Sequence, residues 1–265
     1  MEDLCRAAYD RNFFSLGFSA HAPLPASFCP PTNWHLREDQ LGEYAAAVRE
    51  AKERWKGKLA VYLGLEIDFI PDVCGPADGR FDHLDLEYSI GSVHYLIPAN
   101  GSAPFTVDGP KEETAQGIAL GYGGNGTAAI QAYWDTLTAM IRAGSFDILG
   151  HMDLIKKNIH SSPWFNPADP AYRNGYSRAA EALAETGIVV EVNTGGMNRN
   201  SVPETYPSLE ILHLLKELNI RTTINADAHQ KRHLDGHYED ARSVLRASGY
   251  RTIVLFQGKW QEEPI

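Results

Sequence analysis

An α/β fold, with a parallel sheet covered by helices and either closed as a barrel or left open and doubly wound, is what the sequence predicts. Short apolar runs rich in β-branched and aromatic residues recur along the whole length. Amphipathic segments of helical period lie between them, and no linker or low-complexity tract divides the chain. At 265 residues and 43% hydrophobic content the chain can build one large core. A single barrel domain over residues 1–265 fits the usual size of about 250 residues, although length alone would also allow two smaller domains.

The elements follow in order. The chain opens on a helix-like segment, Glu2 to Arg11, with Leu4, Ala8 and Cys5 as its buried side, whereas an α/β barrel normally begins with a strand. Buried strands are predicted at Ser15 to Ser19, Leu59 to Leu65, Tyr88 to Val93, Phe146 to Leu149, Ile188 to Val192, Thr222 to Asn225 and Thr252 to Phe256. Glu38 to Trp55 sets Leu41, Tyr44, Val48, Ala51 and Trp55 on one helical stripe. Thr127 is placed to cap a helix carrying Ile130, Trp134, Leu137 and Ile141, and Ser208 one carrying Leu212, Leu215 and Leu218. Four long irregular stretches remain, Pro23 to Arg37, Pro71 to Asp85, Ile97 to Gly126 and Ser161 to Gly175. Such loops commonly form lids or walls.

Composition narrows the function. A formal charge of -10 without any Lys/Arg cluster argues against nucleic acid and anionic membranes as partners, while leaving room for a small anionic substrate held by a few local cations. Cys5, Cys29 and Cys74 form no C-x-x-C, so neither a disulfide framework nor a thiolate zinc site is expected, and a reducing, cytoplasmic compartment is. The first residues lack a signal-peptide pattern, and no apolar stretch approaches the ~18 residues of a membrane span. The absence of G-x-S-x-G, Walker and H-E-x-x-H motifs removes the commonest serine hydrolase, NTPase and zincin readings. Gly121, Gly123 and Gly126 satisfy G-x-G-x-x-G, but EETAQGIAL before them is a poor buried strand, and a flexible loop is expected there.

The chemistry lies where polar residues end apolar runs. His21 ends FFSLGFSAH, Glu66 ends AVYLGLE, His94 ends YSIGSVH, His151 ends DILGH, and Asp227 with His229 end TTINADAH. In parallel α/β proteins the C-terminal strand ends share one face, so these residues converge there. Imidazoles with carboxylates suit Zn, Mn or Fe, and a carboxylate such as Glu66 can bridge two ions. One such histidine alone would be read as a hydrogen-bonded core residue; five strand ends with the same chemistry point to metal. His213 in a helix and His35, His83 and His160 in loops are expected to be structural or exposed. His233 and His237 follow His229 at four-residue intervals, but Asp235-Gly236 interrupts any helical stripe, so solvent exposure is expected.

The segments FSAHAPLP, GLEID, GSVHYL, LGHMDLIKK, VEVNTGGMNRN with ETYPS, and NADAHQ resemble, in order, the motifs of the PHP family of metal-dependent phosphoesterases, and most closely its histidinol-phosphate phosphatases. The resemblance runs from about Phe14 to the C-terminus. It implies a distorted (βα)7 TIM-like barrel with two or three divalent metal ions (Zn, Mn or Fe). It also implies hydrolysis of histidinol phosphate to histidinol and phosphate, in histidine biosynthesis, by a metal-activated hydroxide. The implied metal ligands are Glu66 as bridge, His94 and His151 with it on one ion, Asp227 on another, and His21 with His229 on a third. Lys157 and Arg199 fall where the family places phosphate contacts, and Asp227 or His229 would move a proton to the leaving alkoxide.

The chain departs from the family in one respect. The family opens with a strand carrying H-x-H, and no H-x-H occurs here; Met1-Glu-Asp-Leu aligns with the helix after that strand. A barrel without its first strand is therefore expected, with fewer bound metals, weakened or absent phosphatase activity, and exposed strand edges through which two copies could pair as a homodimer. Competing readings are a PHP phosphoesterase acting on nucleotides or other small phosphoesters, and a remnant barrel without catalysis.

Overall fold

The computed structural model describes residues 1–28, 34–161 and 166–265, except the side chains of 158–161. The elements run α1 (Glu2–Asp10), β1 (Ser15–His21), α2 (Leu41–Trp55), β2 (Ala60–Asp68), β3 (Tyr88–Ser92), β4 (Tyr95–Leu96), β5 (Phe105–Thr106), α3 (Lys111–Tyr122) and α4 (Gly126–Ala143). Next come β6 (Ile148–Leu149), α5 (Pro170–Ala184), β7 (Val189–Asn193), α6 (Gly195–Asn198), α7 (Leu209–Glu217), β8 (Thr222–Asn225), α8 (Tyr238–Ala247), β9 (Thr252–Phe256) and β10 (Trp260–Pro264).

Six strands form one sheet in the order β1-β2-β3-β6-β7-β8, and every neighbouring pair is parallel. The α/β architecture expected from sequence is thus present as a partial TIM-like barrel. The sheet curls so that its edge strands, β1 and β8, line one cavity of about 930 Å³, together with residues of α1, β9 and β10. β9 corrects one expectation: it is a strand, but it pairs antiparallel with β10 in a separate hairpin rather than joining the parallel sheet. On the outside, the apolar stripe of α4 (Ile130, Tyr133, Trp134, Leu137, Ile141) packs with Ala179 and Leu183 of α5 in the largest core cluster. That burial is the main stabilising term, roughly 25 cal/mol per Å² of apolar surface removed from water.

Register is set by the pairs His21 with Glu66, Glu66 with Ile90, and Ile90 with Ile148. Below that level the buried Tyr88 ring lies over two glycines. A Cβ on Gly64 would come within 2.5 Å of the ring, and one on Gly17 within 2.4 Å of its hydroxyl. Two adjacent strands thus leave room for one aromatic from the third.

Several local expectations need correction. The stretch Ile97 to Gly126 holds the β4–β5 hairpin and α3, and the glycine triplet is a helix junction rather than a flexible loop. Gly121 lies inside α3, Gly123 ends it with a left-handed φ of 60°, and Gly126 begins α4. The cap of α4 is Asn125, whose side chain accepts from the Ala128 N–H; the Thr127 hydroxyl donates to Asp169 instead. Ser208 is the N-cap residue of α7, without a side-chain bond. Among the described residues no helix is long and apolar enough to cross a membrane.

Candidate metal centre

The C-terminal ends of the parallel strands supply the polar residues. His21 is the last residue of β1, Glu66 and Asp68 close β2, His94 and His151 follow β3 and β6 by two residues, and Glu191 and Asn193 lie on β7. Glu66 stands at the centre, with 8% of its surface exposed. Its Oε1 accepts from the Ser92 hydroxyl at 2.7 Å and from His151 Nε2 at 3.0 Å, and lies 3.6 Å from His94 Nε2. Its Oε2 is 3.7 Å from His21 Nδ1. The rings are close-set, with centroids 4.8 Å apart for His94 and His151 and 5.1 Å for His21 and His94.

Electrostatics follow from this crowding. Burial alone would raise the Glu66 carboxyl, but His21, His151 and His94 outweigh it and hold it well below the usual carboxylate range. Burial works against a charged His94, yet Asp68 and Glu66 push its pKa up to about 10. His151 is raised against burial by its bond to Glu66, whereas burial wins at His21, which is lowered. Glu191 is raised by burial. Its Oε1 accepts the His151 backbone N–H at 2.7 Å and its Oε2 the Asn225 amide at 2.8 Å, so it braces the loop that carries His151.

Two overlapping groups have donor atoms within 4.8 Å of one another: Glu66, His94 and His151, and His21, Asp68 and His94. Atoms ligating one ion from about 2 Å lie roughly 3–4 Å apart, so the first group fits a divalent cation with little movement. The donor chemistry agrees, being nitrogen and carboxylate oxygen only, and the buried Nδ1 atoms of His21 and His151 have no hydrogen-bond partner.

The other predicted residues divide. Asp227 and His229 line the same cavity as His21, Glu66 and His151, but neither belongs to a three-residue ligand group among the described residues. Asp227, at a left-handed φ of 47°, has its Oδ2 2.8 Å from Arg199 Nη2, and Arg199 Nη1 donates to the Asp227 carbonyl at 3.2 Å. His229 Nδ1 lies 3.0 Å from that carbonyl. Gly195 makes the arrangement possible, since a Cβ there would fall 2.7 Å from the Asp227 carboxylate and 2.9 Å from the guanidinium. Lys157 is half-buried and donates to the carbonyl and carboxylate of Asp108. That carboxyl is raised by burial but lowered overall by His94 and Lys157.

Sequence reasoning missed Asp68, Asp108 and Glu191, and assigned His35 to a structural or surface role. Alternation along β2 puts Asp68 on the same side as Glu66, which is the signal that could have found it. His233 and His237 are on no shared helix face, the first ending a 3-10 turn and the second preceding α8; His237 is exposed as expected, whereas His233 is half-buried. The side chain of His160 lies outside the described residues, as does Cys29.

Known proteins agree with this frame. The PHP domain family matches residues 1–195. A Deinococcus radiodurans protein named "Probable histidinol-phosphatase" is 30% identical over 259 residues, covering 98% of this chain and 91% of its own. The Bacillus subtilis histidinol-phosphatase is 26% identical over 240 residues, 88% of each chain. Among solved structures, Listeria monocytogenes hisK superposes with a TM-score of 0.79 at 20% identity, covering 90% of this chain and 92% of its own. Histidinol phosphate phosphatase from Lactococcus lactis, complexed with zinc, L-histidinol and phosphate, superposes with a TM-score of 0.64 at 18% identity over 98% of this chain and 92% of its own. Both structures share the fold of this chain; the PHP domain match over residues 1–195 and the 30% identity to the Deinococcus radiodurans protein make it a member of the PHP family.

Proposed function

We propose that this chain is a metal-dependent phosphomonoesterase that hydrolyses histidinol phosphate to histidinol and phosphate. The observation that carries the reading is the buried Glu66–His94–His151 group, set in a chain that aligns over 98% of its length with a relative named for that activity. The solved relative holding zinc, histidinol and phosphate supports the substrate class.

A divalent cation held by Glu66, His94 and His151 would supply the positive charge that acidifies water and offsets charge on a phosphoryl group. Glu66 is kept anionic by its imidazole neighbours, so it offers a charged donor at neutral pH. His21, whose Nδ1 has no hydrogen-bond partner and lies 3.7 Å from Glu66 Oε2, would be available to hold a second ion. Asp227 and His229 would complete a third position only when Asp227 lets go of Arg199. Once released from that contact, Arg199 would offer its fork to a phosphoryl group, and Lys157, now on Asp108, would add a second cation. His229, whose side chain is 61% exposed, is free to hand a proton to the leaving alkoxide.

The test is phosphate release from histidinol phosphate by zinc- or manganese-loaded protein, beside a panel of nucleotides, other phosphomonoesters and diesters, with Glu66→Ala as control. Preference for histidinol phosphate, lost in the variant, is expected. Preference for a nucleotide or diester would move the assignment to another PHP phosphoesterase. Metal uptake without any turnover would mark a remnant.

A further inference from the structure

We propose that Asp68 and His35 form an outer pair that fixes which nitrogen His94 offers, so that Asp68 orients a ligand rather than serving as one. The inference rests on the reading of Glu66, His94 and His151 as a metal-holding group. Asp68 belongs to the other candidate group, with His21 and His94, so its role has to be decided from its bonds.

Both of its oxygens are engaged. Oδ1 accepts from His94 Nδ1 at 2.7 Å, and Oδ2 accepts from His35 Nε2 at 2.8 Å. The carboxylate is 2% exposed, and two imidazole N–H groups satisfy it without an ion. A ring that donates Nδ1–H has only Nε2 left as a lone-pair donor. Nε2 is the atom that faces Glu66 Oε1, 3.6 Å away. The bond to Asp68 therefore commits His94 to the Glu66 group. Carboxylates behind metal-bound imidazoles commonly work this way, fixing tautomer and ring orientation.

His35 completes the arrangement from a loop. The Leu36 N–H donates to the His21 carbonyl at 3.0 Å, which pins the loop to the end of β1, and the His35 ring stacks on Tyr95 at 5.9 Å and 28°. Without His35, Asp68 Oδ2 would be buried with no donor and free to turn toward an ion. His35 thus acts through Asp68 as a positioning residue.

The experiment is zinc titration of the full chain against a chromophoric chelator, with 15N NMR of the imidazoles in the zinc-loaded protein. In the parent, His94 should carry its proton on Nδ1 and bind zinc through Nε2. Asp68→Ala should weaken zinc binding about 10–100-fold, the range for losing such an outer partner. His35→Ala should weaken it less. His35→Gln, whose amide can donate to the same oxygen, should recover most of that loss, a rescue that general stabilisation would not mimic. Should Asp68→Ala fail to fold, Asp68→Asn keeps an acceptor for His94 Nδ1 and should show a smaller loss with the same nitrogen bound. Unchanged zinc affinity in both Asp68 variants, or zinc on Nδ1 of His94 in the parent, would overturn the inference while leaving the metal centre standing. A parent chain that takes up no zinc would sink both.

Discussion

In the middle of the sheet, where β2, β3 and β6 each pair on two sides, Glu66 is buried among three imidazoles and its nearest cationic partners are all potential ligands. At the β8 edge, Asp227 has a side chain 21% exposed and is already paired with Arg199, while the His229 side chain is 61% exposed. Both sets stand at strand ends, and His21, Glu66 and His151 of the first line one cavity with Asp227 and His229 of the second. What separates them is how many neighbours hold the strand end in place. A strand paired on both sides fixes its terminal side chains to within the tolerance a metal needs, whereas the loop after an edge strand relies on local ion pairs.

Four measurements would sharpen or break that contrast. The largest effect is expected from Glu66→Gln, which leaves a neutral amide between His94 and His151. Turnover of histidinol phosphate should fall by about a thousandfold, the upper end for removing a key electrostatic contact, and zinc content should fall with it. Retention of both would show that the buried group is not the centre. His229→Gln should lower turnover by about a hundredfold, near the low end for a proton-transfer group, without changing zinc content at the buried group. An equal loss of zinc in the two variants would erase the distinction between the regions.

The pH dependence of zinc binding comes third. In the metal-free chain His94 holds its proton up to about pH 10. Because its folded pKa lies above the ordinary value of about 6.5, that proton stabilises the metal-free fold fully below about 6.5, and the contribution fades as pH rises through about 10. Zinc must displace the proton, so affinity should tighten by about tenfold per pH unit over that interval for each proton released. Calorimetry in buffers of different ionisation enthalpy would count the protons, and a flat affinity between pH 7 and 9, two values inside the interval, would contradict the reading. The smallest effect is on stability. Gly64→Ala pushes a methyl against the Tyr88 ring and should cost about 1–3 kcal/mol, read by thermal melting; an unchanged midpoint would mean the ring moves aside freely.

How far the sequence could be read depended on whether a residue's position follows from its neighbours in the chain. Every expected strand exists, because buried parallel strands announce themselves as apolar runs, and Glu66, His94 and His151 meet because strand ends in such a sheet share one face. His35 could not be placed in the same way. It is brought in by one backbone bond from Leu36 to His21, and no periodicity encodes a loop's return path. α3 was hidden for a related reason: Gly117 and Gly121 dilute its helical pattern because they make room for Phe105 and Pro98. β9 had the composition of a sheet strand, but its partner was decided by the short turn to β10.

The open side between β1 and β8 has a consequence for the backbone itself. In a parallel pair, alternate residues of an edge strand direct their N–H and C=O groups inward and the remainder outward. Along β1 the inward set bonds to β2, and the outward set faces the cavity, as its counterpart on β8 does from the other side. Deuterium uptake should therefore alternate residue by residue along both strands, slow then fast, while β2, β3 and β7 stay uniformly protected.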